Sequence, residues 1–259
     1  MSYGKFAYLY DQLMEDVPYD SWVELISQKA GKYGVRGKKL LDLACGTGQL
    51  AIRLGKQGYD VTGVDLSVNM LAVAQAKAEQ SGLRIPFYQQ NMAELGGFGE
   101  FDVIGIFCDS LNYLETESEV QETFQRVHRH LKDNGLFIFD VHSIYKMMQI
   151  FMNQTFAEND EEISYIWHSY QGGYPNSVEH DLSFFVLDEA TGRYDRYDEL
   201  HFQRTYPVET YVGWLRECGF ELLEVSADFE DAAPGSQAER IFFISRKSED
   251  TKGEKSSVS

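Results

Sequence analysis

Short apolar runs and amphipathic stretches alternate along most of this chain. Residues 39–45 (KLLDLAC), 60–66 (DVTGVDL), 85–90 (IPFYQQ), 101–108 (FDVIGIFC) and 135–141 (GLFIFDV) are strand-length apolar runs bounded by Gly, Asp or Pro, the pattern of strands buried on both faces. Helical spacing fills the intervals. Ser67 is placed to cap a helix over 68–80 with Met70, Val73, Ala74 and Ala78 on one face, and Val120, Phe124, Val127 and Leu131 form another stripe. Strand and helix in repeated alternation predict a doubly wound α/β fold with a mostly parallel sheet and right-handed crossovers. Ligands of such sheets bind outside the carboxyl ends of the strands.

From about residue 156 to 206 the period changes to two, with turn sequences at 172–176 (GGYPN) and 189–195 (EATGRYD), which predicts an antiparallel β insertion. Pro207 opens a helix over 208–217 that Gly219 ends, and the runs 220–227 and 240–245 bring the sheet to seven strands. The expected organisation is an aromatic-rich helical cap (1–35), an α/β core (36–150), an inserted lid (151–206), the end of the core sheet (207–246) and a polar, disordered tail (247–259).

Composition narrows the function. With 259 residues and 43% apolar content the chain can build a full core, while its longest apolar runs are far shorter than the roughly 18 to 20 residues a bilayer requires. The amino terminus lacks the basic start and apolar centre of a signal peptide, so a cytoplasmic protein is expected. Forty-one acids against 23 bases, a net charge of −18, disfavour nucleic acid as a partner, because phosphates demand Lys and Arg. Cys45, Cys108 and Cys218 are scattered in apolar surroundings and read as small buried residues. His128 and His130, two apart on a helix, share no face, and no metal site is expected.

The candidate chemistry lies at 40–51 (LLDLACGTGQLA). Gly46, Gly48 and Ala51 fit a glycine-rich phosphate turn, and Asp65, nineteen residues past the first glycine, fits a ribose-binding acid or a cap for the next helix. A nicotinamide or flavin dinucleotide satisfies this much. Asp42 does not suit one: a carboxylate there opposes two phosphates by on the order of a few kcal/mol, and no Lys or Arg lies between 42 and 52 to offset it. S-adenosylmethionine carries no phosphate. Its ammonium and sulfonium are cations, and its ribose keeps the diol that Asp65 can bind.

With VTGVDLS (61–67), the stretch DLACGTGQLA resembles the first two motifs of class I S-adenosylmethionine-dependent methyltransferases. QQNMAEL (89–95), FDVIGIFCDSLNYL (101–114) and LKDNGLFIFDVHS (131–143) are similar to the third, fourth and fifth. The resemblance implies S-adenosylmethionine as cofactor, with Asp42, Ala44, Gly46, Thr47 and Gly48 at the turn, Asp65 and Leu66 after the second strand, Asn91 and Met92 flanking adenine, and Cys108 and Tyr10 nearby. It also implies that the aromatic amino-terminal stretch, Tyr3, Phe6, Tyr8, Tyr10, Tyr19 and Trp22, folds over the cofactor.

Methyl transfer is an in-line displacement that needs alignment first, and a base where the acceptor must lose a proton. Asp109, Asn112 and Tyr113 after the fourth strand are the candidate acceptor contacts, and Asp109 and His142 the candidate catalytic groups. Residues 151–215 contain fourteen aromatics and twelve acids against three bases, which suits a neutral or cationic small molecule or is ordinary sheet core with a solvated face. The alternatives are a nicotinamide-dependent oxidoreductase using the same turn and a regulatory protein that binds the donor without turning it over.

Overall fold

The computed structural model describes residues 10, 11, 14 and 17–248. Tyr3, Phe6, Tyr8 and the tail from 249 lie outside the described residues.

Seven strands form the main sheet in the order β10-β11-β5-β4-β1-β2-β3: β1 (Lys39–Leu43), β2 (Asp60–Asp65), β3 (Phe87–Gln89), β4 (Phe101–Ile106), β5 (Leu131–His142), β10 (Phe220–Ala227) and β11 (Arg240–Lys247). Only β11 runs against its neighbours, β5 and β10. Successive apolar side chains of the central strands point to opposite faces and supply different cores. Leu41, Ile104, Phe137 and Phe243 join α4 (Glu117–His130) and α5 (Val208–Glu217) on one face. Leu40, Val103, Ile138 and Phe242 join α1 (Tyr19–Lys32), α2 (Gln49–Lys56) and α3 (Val68–Gln80) on the other.

Local chemistry sets the helix starts. The Ser67 hydroxyl accepts the Met70 N–H at 3.3 Å, and Thr116 with Glu119 forms a full capping box at α4. On α3 the buried row is Leu71, Val73, Ala74 and Ala78, with Leu71 in place of the expected Met70. Leu131 closes its stripe from the first position of β5 rather than from the helix.

The insertion is a separate antiparallel sheet in the order β6-β7-β8-β9 (Gln154–Asn159, Ile163–Gln171, Ser177–Asp188, Arg193–Arg204). A π-helical segment, Lys146–Phe151, links it to β5, and it places Met147 and Phe151 against Val178 and Trp167 in a third apolar cluster. No helix of the described residues is long and apolar enough to cross a membrane.

Candidate active site

Sheet order reverses between β1 and β4, and both the glycine-rich turn and the β4 loop emerge there. Asp42 pairs with Gly63 on β2 and Gly105 on β4; a Cβ at either glycine would lie 2.4 Å or less from the rings of Phe87 or Phe107. The Asp42 carboxylate is only 2% exposed, and its Oδ2 has no hydrogen-bond partner among the described residues. Burial, then the charge of Asp65, pushes the Asp42 carboxyl from its ordinary 3.8 up to about 7. Ala44, Gly46 and Gly48 all take positive φ, 65°, 54° and 77°, which bends the chain sharply back into α2. At Gly48 a Cβ would sit 3.0 Å from the Ala74 Cβ, whereas at Gly46 it would meet nothing within 4 Å. Gly46 therefore presents open backbone.

Asp65 organises this turn. Its Oδ2 accepts the Gly46 N–H and its Oδ1 the Ser67 N–H, both at 2.8 Å. Burial raises its pKa while these donors pull it back, so the residue braces the loop and the helix start together. Leu66 beside it is 64% exposed. Thr47 is turned the other way: it is 2% exposed, and its hydroxyl donates to Asp11 at 2.5 Å. Asp11 also accepts from Gln49 at 3.1 Å and Lys77 at 2.7 Å, which holds this residue against the turn. Asn91 caps the short turn Met92–Glu94 through the Ala93 N–H, Met92 packs against the core, and a cavity of about 390 Å³ opens along Gln89, Gln90, Asn91, Glu94 and Gly96.

Beyond β4, Cys108 and Asp109 both have positive φ, 52° and 53°, a strained pair whose N–H groups donate to the Asp140 carboxylate at 3.0 and 2.9 Å. Asp140 is fully buried and also accepts from Trp22 Nε1 at 2.8 Å and from Arg240. Arg240 continues to Asp109 Oδ1 at 2.9 Å, while Asp109 Oδ2 receives Gln203 Nε2 at 2.9 Å and lies 3.2 Å from His142 Nε2. Burial works against the charged Asp109, but His142 and then the permanent charge of Arg240 outweigh it and hold its carboxyl well below the usual range. So held, Asp109 is a poor proton acceptor and a good orienter. Burial lowers His142, against the pull of Asp109, and leaves it neutral near pH 7. Its Nε2 faces the carboxylate, so Nδ1, buried and without a partner among the described residues, is the basic nitrogen.

The expected acceptor wall divides. Asn112 is completely buried and serves as a clamp: its Nδ2 donates to the Arg204 carbonyl at 2.8 Å and its Oδ1 accepts the His142 N–H at 2.9 Å. Both ends are taken by backbone, so its expected role as an acceptor contact gives way to a structural one. Tyr113 is 47% exposed and meets the ring of His201 edge-on at 5.8 Å. Burial raises the Tyr10 hydroxyl, and its electrostatic neighbours, Tyr113, Tyr19, Cys108 and Asp109, place it at this same wall. The thiols of Cys45 and Cys108 are pushed up by burial, hence unreactive.

Asp140, Arg240, Gln203 and Asp11 were not foreseen. Asp140 carried a signal, an acid inside the apolar run FIFD, which is the argument that singles out Asp42. The other three act across distances in sequence that no local pattern reveals.

Residues 40–135 match the family described as a methyltransferase domain. A Geobacillus protein, 56% identical over 95% of this chain and its own entire length, and the Bacillus subtilis protein YqeM, 50% identical over 96% of this chain and 98% of its own, are both provisionally designated methyltransferases. The crystal structure of an S-adenosylmethionine-dependent methyltransferase from Clostridium acetobutylicum superimposes with a TM-score of 0.87 at 32% identity, covering 96% of this chain and 100% of that one. A glycine turn with a buried carboxylate beneath it, a doubly wound sheet and relatives matched from end to end agree: the chain belongs to the class I S-adenosylmethionine-dependent methyltransferases.

Proposed function

We propose that the protein methylates a small-molecule acceptor, with His142 taking the proton that the acceptor gives up. The observation that carries this is the Nδ1, without a partner among the described residues, of a buried imidazole whose Nε2 lies against Asp109, since a neutral, oriented imidazole next to a fixed carboxylate is built to become cationic for a moment. When bound, S-adenosylmethionine supplies the methyl group: the acceptor's lone pair forms the new bond as the carbon–sulfur bond breaks, the electron pair stays on sulfur as S-adenosylhomocysteine, and the acceptor proton goes to His142 Nδ1.

Toward the donor, Asp42 faces the ammonium, Asp65 the ribose diol, the open Gly46 backbone the chain between them, and Asn91 with Met92 the adenine. Asp109, Arg240 and Gln203 orient His142, and Tyr10 and Tyr113 flank the acceptor. A sheet laid over the strand ends excludes water and suits a small acceptor.

The test is direct. S-adenosylhomocysteine should raise the melting temperature while NAD leaves it unchanged, and label from methyl-labelled donor should pass to a low-mass product when a bacterial metabolite extract is supplied. His142→Gln should lose that transfer and keep its affinity for S-adenosylhomocysteine. Retained transfer would remove His142 from the reaction, and label appearing in RNA or protein would overturn the small-molecule reading.

A further inference from the structure

Side-chain alternation along β9 sorts the lid's charges between its two faces. Gln203 reaches Asp109 and His201 meets Tyr113, so the odd-numbered positions of this strand look toward the core. Glu199 is the next in that row, about 7 Å along the strand from His201 and paired with Leu182 of β8. Most lid acids behave as solvated charges. Asp181 and Asp198 belong to the opposite row, where Asp198 is tied to Arg196 and Ser183; Glu158 and Asp195 are exposed.

Glu199 differs from them. It is partly buried, burial alone pushes its carboxyl up, and it has no hydrogen-bond or ion-pair partner among the described residues. Among the described residues the cation on the inward row of β9 is Arg193, exposed at the start of the strand and about 20 Å along it from Glu199. Arg196 and Arg204 occupy the even row. The basic groups deeper on that face are His180, lowered to about 4, and His201, lowered likewise, both by burial; near pH 7 they are neutral. A carboxylate stripped of part of its water and left without a counter-charge is unfavourable in the protein by itself. A cation arriving in the cleft reverses that balance.

We propose that the acceptor is an amine-bearing molecule that enters as a cation, with its ammonium on Glu199 and its body against the rings of Tyr113 and His201. This rests on the methyltransferase reading of the same cleft and narrows it to a substrate class. The carboxylate supplies charge, and the ring face of Tyr113 adds the attraction aromatic quadrupoles have for ammonium groups. A phosphate or carboxylate in the same place would face Glu199, with Arg193, the cation of that row, about 20 Å away at the exposed start of the strand.

The experiment uses the full chain saturated with S-adenosylhomocysteine and a panel of matched probes: benzylamine, benzyl alcohol and benzoate, and glucosamine, glucose and gluconate, each titrated by calorimetry and by thermal shift. At least one amine should bind tenfold or more tightly than its alcohol and acid counterparts, with affinity falling severalfold between 50 and 500 mM NaCl. Glu199→Gln should abolish that preference at unchanged S-adenosylhomocysteine affinity, and Asp181→Asn, on the outer face, should keep it. Amines binding no better than their matched counterparts, or an amine preference that survives Glu199→Gln, would overturn the proposal. Failure of S-adenosylhomocysteine itself to bind is a separate outcome that strikes the methyltransferase reading.

Discussion

Asp42 shows how a single carboxylate couples ligand choice to pH. Its folded-state pKa of about 7, raised from 3.8 by burial and by Asp65, means that the native state holds a proton between roughly pH 4 and 7 that the unfolded chain has released. Its contribution to stability therefore falls as pH rises through that window. In the absence of donor, Asp42→Asn should be more stable than the parent at pH 8, by on the order of 2 to 4 kcal/mol, with the advantage vanishing near pH 4. Urea melts across pH measure this, and a difference independent of pH would refute it. If Asp42 holds the ammonium as proposed, the same substitution should weaken S-adenosylhomocysteine tenfold or more at pH 8 and much less at pH 5.5, since only the ionised form would attract it. Asp65→Ala removes a charged acceptor of two backbone N–H groups as well as the group proposed to hold the ribose. Donor affinity should drop by about 1.5 to 3 kcal/mol, measured by calorimetry on a variant whose circular dichroism is unchanged.

Among the elements, the lid is the instructive one. Its strands are legible from period-two spacing and two turn sequences, but its attachment is made by groups that such a pattern does not mark. Trp167 Nε1 donates to His180 Nδ1 at 2.9 Å, His180 Nε2 lies 3.3 Å from Gln203 Oε1, and Gln203 Nε2 ends on Asp109. The Trp167 donor fixes the tautomer, and the chain of hydrogen bonds runs in one direction from lid to core. Asn112 holds the other side, between β9 and the end of β5. Asn112→Leu would orphan two buried backbone groups, so we expect a loss of about 2 to 3 kcal/mol in urea denaturation and faster proteolysis within 154–204. Affinity for S-adenosylhomocysteine should stay within about twofold; an undisturbed lid would show that the apolar cluster around Phe151 holds it alone.

At the scale of the whole molecule, five distant parts of the chain meet around Arg240. Trp22 of α1 and Arg240 of β11 converge on Asp140 of β5, while Asp109 after β4 and Gln203 of the lid complete the set. The guanidinium lies 5.1 Å from the Trp22 ring and neutralises two carboxylates at once. Arg240→Met keeps the volume and removes the charge, leaving Asp109 and Asp140 uncompensated. We expect a loss of about 3 to 5 kcal/mol at pH 7.5 that shrinks toward pH 5 as one of the two takes up a proton. A loss of the same size at both pH values would mean that packing rather than charge is at stake.

Sequence alone determined the layered α/β sheet, because buried parallel strands must be apolar throughout and their helices amphipathic, so periodicity records them directly. It also determined the donor: the glycine turn, Asp42 and Asp65 lie within 24 residues of one another, and local spacing is sufficient to argue their chemistry. Asp65 as brace of the turn, Thr47 spent on Asp11, and Asn112 as clamp rather than contact were decided by tertiary structure. So was the pairing of His142 with Asp109, which a shared sheet edge makes possible and Arg240, 131 residues from Asp109, holds in its charge state. Net charge behaved in the same way. A lid with eleven acids suggests a cationic partner, yet only the register of β9 against β8 separates Glu199, partly desolvated and unpartnered among the described residues, from neighbours that face water. Which side of a strand a residue occupies follows from alternation, but which side is inward is settled by what packs against it, and that information is held by residues far away in the chain.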